Sequence, residues 1–207
     1  MAKALTIVVL LLASSVVFGL FSFQNQSKLD SLEKSKDRGR LIWYADWAKA
    51  KGEQEISFPA EFIRYSVPRS LEQAQTYYSV LVAEPLERKS IASQEKIHIW
   101  FKFRIIEELS SPVEQCQDCP SLDSAPTDLL PLQKNEFLAI QNGGELEVNG
   151  VRVVSEDVKF PAFKIGKQYL LFVSLDGQKT IGSLQMGPWG TFGVNLDGSL
   201  EDLVPRR

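Results

Sequence analysis

The stretch Glu145-Leu146-Glu147-Val148-Asn149-Gly150-Val151-Arg152-Val153-Val154 reads as a β-hairpin. Asn149-Gly150 supplies two residues that tolerate the positive φ required at both central positions of a type I′ turn. A two-residue turn sets Val148 opposite Val151, Glu147 opposite Arg152 and Leu146 opposite Val153. Apolar residues then pair on one face and opposite charges on the other, so turn and register agree.

The same kind of signal continues on both sides. Toward the C-terminus, Phe160 to Gly166 is a turn-bearing approach to Gln168-Tyr169-Leu170-Leu171-Phe172-Val173. That run is apolar on both faces, which predicts a central strand. Asp176-Gly177 turns the chain into Lys179 to Gly182, and Phe192-Gly193-Val194 with Asp197-Gly198 predicts a last strand and turn. Toward the N-terminus, Ile97 to Ile105 alternates with period two. Ile97, Ile99, Phe101, Phe103 and Ile105 share one face, while His98, Trp100, Lys102 and Arg104 share a wetter one. This predicts a half-buried antiparallel strand. Val80-Leu81-Val82-Ala83, followed by Pro85, reads as a buried strand entering the domain.

Short helices precede these strands. Ser70 and Gln73 form the two ends of a capping box. Leu41 to Ala50 is built of helix formers that Gly52 can stop, with Trp43 and Trp47 on one face for core packing or for a membrane interface. Glu55 to Tyr65 reads as an edge strand around Pro59. Several short strands joined by Gly-containing turns make the chain mainly β with minor α, a small barrel or sandwich. Roughly 130 residues from Leu71 to Leu203 suffice for one core.

Composition narrows the function. The 207 residues hold 23 Lys plus Arg, 26 Asp plus Glu, one His and two Cys, with 44% hydrophobic residues. This is ordinary globular usage, neither disordered nor collagenous. The slightly acidic balance argues against nucleic acid as a partner, because displacing counterions from phosphates needs a dense basic surface. After Lys3 the chain carries no charge until Lys28, and Ala4 to Phe23 is apolar enough for an export signal or a single membrane-spanning anchor. Both readings put the remainder outside the cytoplasm, secreted, periplasmic or tethered. No Cys lies near the run, which excludes a lipoprotein anchor. Asn25-Gln26-Ser27 is a formal glycosylation acceptor.

Four features bear on chemistry. Cys116-Gln117-Asp118-Cys119 lies in a Pro-rich insertion at about 107–136 and reads as a local disulfide clip, a redox pair or part of a zinc site. Zinc would need four ligands, with His98 or another chain the nearest source, and Pro120 in place of a His excludes covalent haem. Ser31-x-x-Lys34 lacks the companion motifs of the acylating enzymes that use it. A Ser-His-Asp triad would depend on His98 alone, and no Gly-x-Ser-x-Gly elbow is present. Trp189 in Gly187-Pro188-Trp189-Gly190 either plugs a barrel end or stacks on a sugar or partner, and His98 and Trp100 are further candidate contacts. No cofactor is implied.

Ser70 to Pro85, Gly143-Gly144, Gly150, Phe160 to Val173 and Gly190 to Val194 together resemble a group of uncharacterised exported bacterial proteins. The resemblance implies a small oligonucleotide/oligosaccharide-binding-type barrel, similar to that of netrin and tissue metalloprotease inhibitor modules. Those inhibitors bind a target zinc through an N-terminal Cys, and this chain has none before Cys116. The expected organisation is a signal or anchor at 1–23, a linker with short helical and extended pieces at 24–69, and the barrel at 70–207. The expected function is binding or envelope structure with a protein or glycan partner. The alternative is a thiol-disulfide protein using Cys116 and Cys119.

Overall fold

In a computed structural model of the chain, residues 26–35, 40–60, 70–93, 96–111, 120–184 and 187–203 are described. They fall into two compact units, Met1–Ile56 with Glu147–Val153, and Ser57–Leu146 with Val154–Arg207.

In the first unit residues 26–33 are helical (α1). Helix α2 (Leu41–Lys51) ends where Gly52 takes φ 78°, its N–H reaching the Ala48 and Lys49 carbonyls, while Lys49 and Lys51 complement the dipole of the last turn. Trp43 is buried, stacks on Trp47 at 6.0 Å and donates its Nε1–H to the Leu32 carbonyl at 2.7 Å. The Lys51 ammonium lies 3.6 Å from the centre of the Trp47 ring. The Trp43–Trp47 pair therefore serves packing. The turn read from sequence is present, with Asn149 at φ 52° and Gly150 at φ 78°. Asn149 donates to Asp46, and Arg152 pairs with Glu55 at 2.6 Å.

Strands β1 (Glu55–Pro59), β5 (Gly144–Val148) and β6 (Val151–Glu156) form a three-stranded sheet in the order β1-β6-β5.

The second unit holds the barrel. Helix α3 (Leu71–Tyr77) starts at Ser70, whose hydroxyl accepts from the Gln73 N–H. Its strands are β2 (Ser79–Ser93), β3 (Lys96–Ser110), β4 (Glu136–Asn142), β7 (Tyr169–Leu175), β8 (Ile181–Leu184), β9 (Thr191–Val194) and β10 (Leu200–Asp202). The sheet order is β10-β9-β7-β2-β3-β4-β8, and β8 also pairs with β7. Strands β2, β3, β4, β8 and β7 thus close into a ring, from which β9 and β10 extend. The barrel is mostly antiparallel, as expected, with one parallel seam where β4 and β8 run side by side, Ala139 beside Gly182. Directions that alternate around a ring of five must repeat once, so an odd ring needs a parallel pair.

Two further differences have local causes. Strand β2 does not end at Pro85 but continues to Ser93, with a register shift between Pro85 and Glu87 that absorbs the missing donor. Strand β4 falls where the sequence reading gives none, because Gln141 interrupts the apolar alternation of Phe137 and Ala139.

The inward face of β3 is as read, with Ile97, Ile99, Phe101 and Phe103 buried. Phe163 enters the core edge-on to Phe101, Phe103, Phe160 and Tyr169, at centroid distances of 4.9 to 5.7 Å. At Gly182 a methyl group would stand 2.5 Å from Val173 Cγ1 and 3.0 Å from Leu175 Cδ2.

The outward face of β3 corrects the sequence reading. Trp100 is 1% and Lys102 8% exposed. The segment 120–135, with 3₁₀ turns at Leu122–Ser124 and Thr127–Leu129, folds over them. Leu129 joins Trp100, Leu138 and Ile181 in a second apolar cluster, backed by Leu130 and Leu132. Lys89 holds Asp128 at 2.8 Å, and the Gln133 N–H donates to Glu136, which lies 4.0 Å from Lys102.

Candidate functional site

A cleft of about 220 Å³ opens between the segment before β7 and the β9–β10 extension. Pro161, Ala162, Phe163 and Leu203 give it apolar walls, while Lys164, Lys167, Tyr169 and Glu201 give it polar ones.

Local sequence sets each wall. Asp157 accepts from the Lys159 and Phe160 N–H groups, starting the turn, and Gln141 donates to the Phe160 and Pro161 carbonyls at 2.6 and 3.2 Å. Phe163, anchored in the core, holds the start of the next turn in place. Gly166 at φ 78° lets the chain double back, and the Lys164 N–H donates to Tyr169 Oη at 2.9 Å. On the far side, Asp197 accepts from Ser199 and Gly198 takes φ 81°, which sets the β9–β10 register. That register puts Glu201 opposite Gly193, and Gly193 is opposite Tyr169.

Gly193 leaves room for the far end of Lys167. A Cβ there would stand 2.8 Å from both Cε and Nζ of Lys167. The Lys167 ammonium runs through this slot to Glu201 at 2.9 Å and lies 5.9 Å from the Tyr169 ring centre. Burial pushes the Tyr169 hydroxyl above the usual tyrosine range, so it stays neutral and able to donate at physiological pH. Lys164 is exposed, and among the described residues its ammonium has no ion-pair partner. Lys167 and Glu201 therefore form an ion pair beside apolar walls, and Lys164 belongs to the same lining. This arrangement can hold a ligand.

The candidates read from sequence lie elsewhere. His98 is half-buried on β3, with Nδ1 3.1 Å from Asn142 Oδ1. Burial lowers its pKa below 6.5, the Lys96 charge works in the same direction, and the Asn142 bond opposes both. Trp100 is sealed beneath Leu129 and is no surface contact. Trp189 is 52% exposed on the 3₁₀ turn Gly187–Gly190, so it does not plug the barrel. Neither His98 nor Trp189 lines the cleft. Ser31 of the Ser-x-x-Lys pair is exposed on α1 and donates to the Lys28 carbonyl. Cys116, Cys119, Asn25 and the apolar run Ala4 to Phe23 lie outside the described residues. Among the described residues no helix is long and apolar enough to cross a membrane, and no three His, Cys, Asp or Glu side chains group to hold a metal ion.

The cleft residues escape a sequence reading because Lys167 and Glu201 are brought together only by strand register. The Asp197-Gly198 turn is the one signal that could have located Glu201 beside Gly193.

No protein-family model matches the chain, and neither a curated protein nor a solved structure matches it.

Proposed function

We propose that the chain is an extracytoplasmic β-barrel module, released or membrane-tethered, that acts by binding a protein or glycan partner rather than by catalysis. The cleft between Phe163 and Glu201 carries this reading: it has apolar walls, a neutral buried phenol and two ammonium groups, the composition of a recognition site. The ring order supports assignment to the oligonucleotide/oligosaccharide-binding type. Numbered along the chain, the ring strands run first, second, third, fifth, fourth, with the third and fifth parallel. Barrels of that type bind oligomers on the face of their second and third strands. Here Leu129 and its neighbours cover that face over Trp100. The uncharged run Ala4 to Phe23 supports the location outside the cytoplasm.

Chemical crosslinking in intact cells tests the reading on the full chain and on Ala162→Trp, which fills the cleft from an exposed position. The expected result is an adduct in the natural chain that the variant loses. A chain that forms no adduct, but reduces a test disulfide and loses that activity when Cys116 and Cys119 become Ser, would replace this reading with the thiol-disulfide one.

A further inference from the structure

Resting on that reading, we propose that the cleft is a site for a small apolar carboxylate, the size of one aromatic or branched aliphatic residue with a free carboxyl group. Size comes first. A buried cavity of about 150 Å³ accepts benzene, and pockets for drug-sized ligands start near 300 Å³. At about 220 Å³ the cleft takes one ring or one side chain together with a single polar group. The walls then divide that ligand in two. Pro161, Phe163 and Leu203 offer an apolar seat, and Phe163 is pinned by four aromatic neighbours, so the seat is rigid before anything binds.

Charge selects the polar group. An ammonium has three N–H donors, and Lys167 directs one to Glu201 at 2.9 Å. Lys164 adds a second ammonium that has no ion-pair partner among the described residues. Tyr169 Oη accepts from the Lys164 N–H and keeps its own proton to donate. Of the four polar side chains that line the cleft, Lys164, Lys167 and Tyr169 carry donors and Glu201 accepts, with one of its two oxygens taken by Lys167, so the lining sums to one net positive charge. An anion completes this set. A cation would add to that net positive charge, and a bare inorganic anion would leave the apolar seat wet.

Calorimetric titration of the full chain tests this with 3-phenylpropionate, its amide, phenethylamine and N-acetylphenylalanine. The acid is expected to bind at least about tenfold more tightly than its amide. Lys167→Met should remove that preference without changing the unfolding midpoint appreciably, while Trp189→Ala leaves it intact. Gly193→Ala gives a second check, because its methyl displaces the far end of Lys167 while keeping the charge, and it should reduce the preference in part. N-acetylphenylalanine binding more tightly than phenylpropionate identifies a peptide C-terminus as the source of the carboxylate; equal binding identifies a free acid. Equal affinity for acid and amide, tighter binding of the amine, or binding of none of the four overturns the assignment. If that happens while Ala162→Trp still abolishes the crosslinked adduct, the binding module stands and only its ligand class falls.

Discussion

Trp100 and Trp189 make the clearest contrast in the molecule. Alternation along β3 sets Trp100 on the side away from the barrel interior, yet it is 1% exposed; Trp189 sits in a Gly-Pro turn suited to plugging, yet it is 52% exposed. The difference is what lies above each ring. Segment 120–135 brings Leu129, Leu130 and Leu132 onto Trp100. A period-two pattern tells which way a side chain points. It does not tell whether a distant piece of chain will lie over it.

The strongest way to break the contrast is to truncate both rings. Trp100→Ala should destabilise by about 3–5 kcal/mol, the usual loss for a buried aromatic, while Trp189→Ala should stay within about 0.5 kcal/mol. Equal losses in denaturant unfolding would show that the two environments are alike. Leu129→Ala attacks the cover itself and should cost about 2–5 kcal/mol. It should also shift Trp100 emission to the red; an unchanged spectrum would mean that Leu129 does not keep water from the ring.

The smallest expected effect concerns His98, two residues before Trp100 on the same face. Its folded pKa lies below 6.5, chiefly because burial disfavours the imidazolium. The unfolded chain therefore binds more protons over that interval. Stability should be full above pH 6.5, decline as the pH falls through 6.5, and level off below the folded pKa. His98→Gln should flatten that step, and an unaltered pH profile in the variant would assign the step to another group.

Much of the fold was legible where the signal is local. Asn149-Gly150 fixes its own turn, Gly52 stops α2, Ser70 caps α3, and the inward face of β3 follows from alternation. The parts that were not legible depend on pairings between distant residues. Nothing near Ala139 announces Gly182 as its parallel neighbour, and β4 is blurred by Gln141, which faces inward because the Phe160 and Pro161 carbonyls satisfy it. Pro85 reads as a terminator and becomes a mid-strand residue because a bulge comes directly after it. The cleft was legible only as a turn before β7. Its chemistry appears once the register carries Glu201 to Lys167.

A bare hydrogen at residue 182 sets the bore of the barrel. With Val173 and Leu175 already in the way of a single methyl there, side chains fill the barrel at this level. On the binding reading, a ligand would therefore be held at the barrel's edge, in contact with solvent.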